Sequence, residues 1–403
     1  MATAEMKLSF RSQRPLAVLG VTHPQSCLLL ANRVRALVRG GYRVLVVTSP
    51  GEMLDRMAEA EGIQAVGIPM LRGISPLHDL LALVRLWWLL VWMRPDLTEF
   101  STPKAGLLGN LAAFLAGVPV RIYLLRGLRL ETANGVGRSV LLAAERLAGW
   151  SAHSVVCNSP SLLAEAVALR LAPENKLKLV GKGSSHGVDT RRFAPGPCDL
   201  RKQVGIEADA PVIGFVGRLT RDKGVPELLE AFERVLNAEP RARMLMVGWF
   251  DASEDALDAG LRRRIESHPR IICTGFVHDP APWYRAMDVV VLPTRREGFP
   301  NAVLEASASG VPVITTLATG ARDAVVPEVT GLLVPPGYPE AICEAILELL
   351  RDETRRRVMG AAARRWVIEH FSEERVLQLT IEFYRSLMRP EANLALEDAA
   401  LAE

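Results

Sequence analysis

Neither Asp-x-Asp nor Cys-x-x-Cys occurs in the 403 residues. The five cysteines (27, 157, 198, 273, 343) are odd in number and widely spaced, and the seven histidines form no ligand cluster. A zinc site, a disulfide framework and an acidic metal site are therefore not expected, and the thiols fit a reducing compartment. Aromatic residues make up 6% of the chain, with no basic stripe interleaved by them, so no nucleic-acid partner is expected. The first fifteen residues are polar and charged, without the apolar centre of a signal peptide. No apolar run reaches transmembrane length; the nearest, 80–93, is broken by Arg85. A cytoplasmic protein is expected.

What is present is an α/β chain. Hydrophobic residues make up 49% of it, and 403 residues are too many for one ordinary core. Apolar strand-like runs at 16–20, 43–48, 64–70, 97–101, 122–125, 154–158 and 176–180 alternate with helical stretches from after 26 to about 39 and at 76–94, 104–116, 138–149 and 161–168. Such alternation predicts a doubly wound parallel sheet. The flexible stretch 181–197 reads as a linker. Beyond it the alternation restarts, with strands at 212–216, 243–247, 271–276, 289–292, 311–316 and 331–334. Helices are expected at 225–238, 255–267, 281–286, 301–309, 339–350, 353–370 and 372–388. The expected domains are 1–188 and 189–371, with 372–390 a final helix and 391–403 a frayed tail. A net charge of +3 conceals +9 over residues 1–188 and −6 over 189–403. The basic first half favours an anionic partner, a phosphorylated acceptor or a membrane surface.

Residues 292–316 organise the second half: strand, turn at Gly298 and Pro300, short helix, strand. A helix N-terminus at a strand end suits a phosphate. Glu297 before that helix and Glu305 within it would flank such an anion, as a nucleotide sugar requires. Arg218 and Lys223, in Gly217-Arg218-Leu219…Lys223-Gly224, follow another buried strand and can grip a diphosphate. Two carboxylates also suggest a glycosidase pair, but a glycosidase needs no diphosphate clamp. Without a metal, charge on a leaving diphosphate must be met by these cations and backbone N–H groups. In the first half, His23, Lys104, Arg126, Arg129 and Glu131 follow strands, where acceptor contacts belong. Three of the seven tryptophans (87, 88, 92) lie in 80–93, flanked by Arg72, Arg85 and Arg94. That helix suits either a core or an anionic membrane surface, over about 78–94.

Glu297-Gly-Phe-Pro-Asn-Ala-Val-Leu-Glu305 and the Gly-Arg-Leu…Lys-Gly loop resemble the retaining glycosyltransferases of family 4. Ser101-Thr-Pro-Lys-Ala-Gly, Leu125-Arg-Gly-Leu-Arg and Cys157-Asn-Ser-Pro-Ser look like its capsule and O-antigen branch. The resemblance implies a GT-B fold: two facing Rossmann-like domains with a cleft between them, the last helix crossing back onto the first. It implies that Arg218 and Lys223 hold the donor diphosphate, Glu305 the ribose and Glu297 the transferred sugar. Gly298, Phe299, Pro300 and Asn301 would lie close to sugar and phosphate by their backbone, with Val277 at the base. It further implies a UDP-sugar donor, a lipid-diphosphate-linked glycan acceptor, retention of configuration and no metal or other cofactor. A GT-B epimerase and a non-enzymatic nucleotide-sugar sensor share these donor residues. Where many members carry a glycine-rich loop and a His, this chain has Val21-Thr-His-Pro-Gln-Ser-Cys27 and Arg126-Gly127.

Overall fold

The computed structural model describes residues 14–388 apart from 72, 253 and 254. The expected tail 391–403 lies outside the described residues, as do Arg72 and most of the charged N-terminal stretch.

In the first half, strands β1 (Leu16–Gly20), β2 (Arg43–Thr48), β3 (Gln64–Gly67), β4 (Leu97–Ser101), β5 (Val120–Leu125), β6 (Ser154–Cys157) and β7 (Leu177–Leu179) are joined by helices α1 (Ala31–Arg39), α2 (Glu52–Glu61), α3 (Pro76–Met93), α4 (Pro103–Leu115), α5 (Gly135–Ser151) and α6 (Pro160–Ala168). After the short α7 (Leu200–Gln203) come β8 (Val212–Val216), α8 (Val225–Ala238), β9 (Arg243–Val247), α9 (Ala259–Ser267), β10 (Ile271–Cys273), α10 (Ala281–Tyr284) and β11 (Val289–Leu292). Then follow α11 (Asn301–Ala308), β12 (Val313–Thr316), β13 (Gly331–Val334), α12 (Pro339–Arg351), α13 (Glu353–Phe371) and α14 (Glu373–Met388).

The strands form two sheets, ordered β3-β2-β1-β4-β5-β6-β7 and β10-β9-β8-β11-β12-β13, with every ladder parallel. Central strands such as Leu16–Gly20 and Val289–Leu292 are buried along their whole length, because helices cover both faces. This is the two-domain GT-B arrangement. In each sheet the strand order reverses at one place, between β1 and β4 and between β8 and β11. Loops at such switch points form ligand crevices.

Several elements differ from expectation: β10 stops at Cys273, and the short α7 was not foreseen. Helix α2 was not foreseen: only Leu54 and Met57 of it are buried, too few apolar positions to set a period. Strand β3 stops at Gly67, and Ile68 and Met70 instead pack into the core with α3. The expected limit on apolar length also needs correction. Helix α3 spans 18 residues from Pro76 to Met93, long and apolar enough by length and composition to cross a membrane. Pro76 at its start fixes helical φ and extends it by a turn. Ala82, Leu86, Leu90 and Met93 seat one stripe of it in the first core. Trp87 packs partly against that core, whereas Leu77, Leu80, Leu81, Val84, Trp88 and Trp92 are exposed.

The chain crosses between the sheets twice. Around Gly187–Val188 it enters the second domain, and at Phe371–Glu373 it returns. The crossings pair: Val188 N–H donates to Phe371 O (2.9 Å), and Glu373 N–H donates to Val188 O (2.9 Å). Helix α14 then packs on α1, with Ile381 and Tyr384 in the core of Leu19, Val34 and Val46.

Candidate active site

At the second switch point, the loops after β8 and β11 interlock. Arg295 N–H donates to Asp222 O (2.9 Å). Gly224 takes a left-handed φ of 72°, and a Cβ there would overlap Pro293 O, so the turn into α8 is built around glycine. The Lys223 ammonium is ion-paired to the Glu297 carboxylate. Arg218 Nη1 donates to Asp251 Oδ2 at 2.5 Å and lies 3.8 Å from Asp222. Asp222 is nearly fully buried; burial pushes its carboxyl up, but Thr220, Lys223, Arg296 and Arg218 hold it below the ordinary range. Helix α11 begins at Pro300 with no side-chain cap. Its N-terminal end is open to an acceptor atom from outside the helix.

Glu305 lies one turn into α11 and accepts from Tyr284 Oη at 2.8 Å. Burial pushes its carboxyl up to about 7, and the tyrosine bond only partly offsets that. Phe299 turns its ring into the core against Phe371, centroids 5.0 Å apart, leaving its backbone beside Gly298. Asn301 Nδ2 meets His186 Nε2 at 2.8 Å. Val277 is half-buried beside the exposed Phe276, whose ring stands edge-on to Trp249 (5.4 Å) and His278 (5.1 Å).

The first sheet supplies the facing wall. A cavity of about 260 Å³ is lined by Thr102, Arg126 and Arg129 on one side and by Arg218, Lys223 and Glu297 on the other. The walls touch where Gly127 meets Gly298. A Cβ on Gly298 would overlap Arg126 O, and Gly127 itself has φ 130°. Thr102 holds φ 70°, rare for a β-branched residue. Its hydroxyl joins Thr22 Oγ1 at 2.7 Å, tying the first sheet's own switch-point loops together. Burial pushes the Glu131 carboxyl up, and a hydrogen bond to Thr319 of the second domain pulls it back. Ser161 adds a further tie across the cleft, donating to Asp323 and accepting from Gly320 N–H at 2.7 Å.

Two expected acceptor residues are held elsewhere in the first domain. Lys104 pairs with Asp79 at 2.6 Å and reaches Gly73 O, tying α4 to the start of α3. His23 accepts from Gln25 N–H at 3.3 Å at the head of the 3₁₀ turn Pro24–Leu29. Neither lines the cavity. Sequence reasoning missed Asp251, Asp222, Arg296 and Tyr284, whose roles rest on partners 4 to 74 positions away; Arg296 is held by Asp222 at 3.3 Å and Asp255 at 3.1 Å. Only the run Arg295-Arg296 beside Glu297 offered a signal for any of them.

Residues 210–352 match the family described as glycosyl transferases group 1, and residues 30–183 match the glycosyl transferase 4-like domain. The chain belongs to this family and is a glycosyltransferase. It is 35% identical over 370 residues to the capsular polysaccharide biosynthesis glycosyltransferase CapM of Staphylococcus aureus, covering 92% of this chain and 96% of that one. It is 26% identical to an Escherichia coli UDP-Gal:alpha-D-GlcNAc-diphosphoundecaprenol alpha-1,3-galactosyltransferase, over 81% of this chain and 84% of the relative. In fold it is similar to Anabaena Alr3699/HepE, solved with UDP and glucose: TM-score 0.77, 22% identity, 92% of this chain and 99% of that one.

Proposed function

We propose that this glycosyltransferase moves a sugar from a UDP-sugar to a hydroxyl of a lipid-diphosphate-linked glycan in the building of a bacterial surface polysaccharide. It retains the anomeric configuration, needs no metal and works at the cytoplasmic face of a membrane. The observation that carries the donor reading is the second switch point, where Arg218, Lys223, Glu297 and Gly298 line one cavity, just before the uncapped start of α11. In this reading the donor diphosphate takes Lys223 from Glu297 and meets Arg218 and the α11 N-terminus. Glu297, released, turns to hydroxyls of the transferred sugar. Glu305 accepts from the ribose, and Val277 with Phe276 borders the base.

The acceptor oxygen attacks the anomeric carbon from the face that the diphosphate leaves. The C–O bond to phosphate breaks, its electrons pass to the leaving oxygen, and that oxygen takes the acceptor proton. Cations and backbone N–H groups stabilise the charge that develops.

The polysaccharide role is supported by the name of the CapM relative, and a lipid-linked acceptor by that of the Escherichia coli galactosyltransferase acting on a diphosphoundecaprenol sugar. The membrane reading is supported by α3. Its exposed Leu77, Leu81, Val84 and Trp88 recur at helical spacing, beside exposed Arg85 and Arg94. The deciding experiment incubates the protein with UDP-sugars and a polyprenyl-diphosphate-linked sugar. UDP release that requires the acceptor, with an α-linked product from an α-linked donor and full activity in EDTA, is expected. Donor conversion without acceptor would replace transfer by epimerisation.

A further inference from the structure

Arg126 is a buried guanidinium with one edge unmet. Its Nη1 donates to Ser185 Oγ at 2.8 Å. Its Nε and Nη2 are buried and have no hydrogen-bond partner. Those two nitrogens form the side-on edge of the guanidinium, whose parallel N–H groups grip the two oxygens of a planar oxyanion. The nearby acid, Glu99, is ion-paired with Arg33 through Oε2, while its Oε1 is buried without a partner and makes no hydrogen bond to Arg126; Arg33 also donates to Ser185 O and to Tyr384 Oη. His186 completes the cluster: Nδ1 meets Ser185 Oγ at 2.9 Å and Nε2 faces Asn301. Burial, Arg126 and Arg33 push its imidazole down to about 3, so it is neutral. Two arginines against one carboxylate leave this cluster one positive charge in excess. An unpaired buried charge with unmet donors is costly, and an anion on the substrate would complete both.

The place of Arg126 narrows the choice of anion. It projects from the end of β5, on the wall opposite Arg218 and Lys223, and its carbonyl lies against Gly298. The diphosphate already has two cations and a helix N-terminus on the far wall. The group beside Glu297 and Gly298 is the transferred sugar. We propose that Arg126 binds a carboxylate on that sugar, so that the donor is a nucleotide hexuronate rather than a neutral hexose. This rests on the donor site proposed above.

Binding of UDP, of UDP-glucuronate and UDP-galacturonate, and of the matching neutral UDP-hexoses to the full chain tests it by calorimetry. The wild type should bind one hexuronate donor about tenfold or more tightly than its neutral counterpart, the size of a charge-assisted pair. Arg126→Met and Arg126→Lys should erase that preference while binding UDP as the wild type does. Lysine keeps the charge without the fork and serves as the milder variant if methionine disturbs folding, which melting curves report. No hexuronate preference in the wild type overturns the proposal, with no variant needed. Equal loss of UDP and of every UDP-sugar in Arg126→Lys overturns it in favour of a diphosphate contact. A wild type that binds no UDP at all removes the donor reading itself, a result distinct from the other two.

Discussion

Lys223 and Glu297 are joined in an ion pair across the reversal of the second sheet, between loops 74 positions apart in sequence. Both side chains are largely shielded from solvent, at 17% and 12% exposure, so neither charge is idle. In the proposed reading, a diphosphate that took Lys223 would leave Glu297 to find hydroxyls, so the pair would couple phosphate arrival to sugar contact. Lys223→Ala is expected to lower transfer about 10²- to 10³-fold, the usual effect of removing one group that stabilises developing charge. Initial rates of UDP release with acceptor present measure it. Circular dichroism should show an unchanged fold, and a rate within twofold of wild type would remove Lys223 from the site.

Glu305 sets a pH dependence. Its carboxyl, raised to about 7, holds its proton more tightly in the folded chain than in the unfolded one. Its contribution to stability is therefore full below the ordinary value near 4.5 and is lost as pH rises to about 7. If Glu305 accepts from ribose hydroxyls as proposed, they would favour its ionised form, so nucleotide affinity should run the opposite way, rising through about 7 and levelling above it. Titration of UDP binding at several pH values reads this directly. Glu305→Gln should weaken binding and flatten the profile; an unflattened profile assigns the titration to another group.

Gly298 makes one of the close contacts between the domain walls. A methyl group there would overlap Arg126 O. Gly298→Ala should hold the walls apart and reduce transfer by about tenfold or more, since misplacing reacting groups by an ångström is costly. UDP affinity should change much less, because Arg218 and Lys223 lie in the same domain as each other. Parallel fall of both constants would place the defect in the donor pocket.

The exposed stripe of α3 can be removed without touching its buried stripe. Leu81 and Trp88 are 48% and 62% exposed, whereas Leu86 and Leu90 are buried. Replacing Leu81 and Trp88 together by Ser should leave the melting temperature nearly unchanged. Flotation with vesicles containing phosphatidylglycerol should lose bound protein by about tenfold or more, given the transfer energy of two large apolar side chains. Equal flotation of variant and wild type would mean that α3 does not bind lipid.

The strands were legible because a strand covered on both faces is an unbroken apolar run, as in Val-Val-Val-Leu at 289–292. The donor loops were legible because their chemistry is local: a strand end, a turn, then charges at short spacing. Pairing was not. Nothing adjacent to Arg218 announces Asp251, and nothing near Arg33 announces Glu99, its buried partner 66 positions later. Lys104 illustrates the limit. Its place after β4 suggested a cleft contact, but Asp79 draws it toward α3. Position along the chain gave the loop, while the direction of the side chain depended on a helix 25 positions earlier in sequence.

The two crossings, tied by reciprocal hydrogen bonds of Val188 with Phe371 and Glu373, bear on how the cleft opens. Two adjacent strands of chain act as a door hinge with both pins on one edge. Rotation about their common line moves the Gly127–Gly298 contact through an arc while sliding and twisting between the domains are resisted. A rotation about that edge is the motion these two bonds leave free, so an opening of the cleft would follow one coordinate.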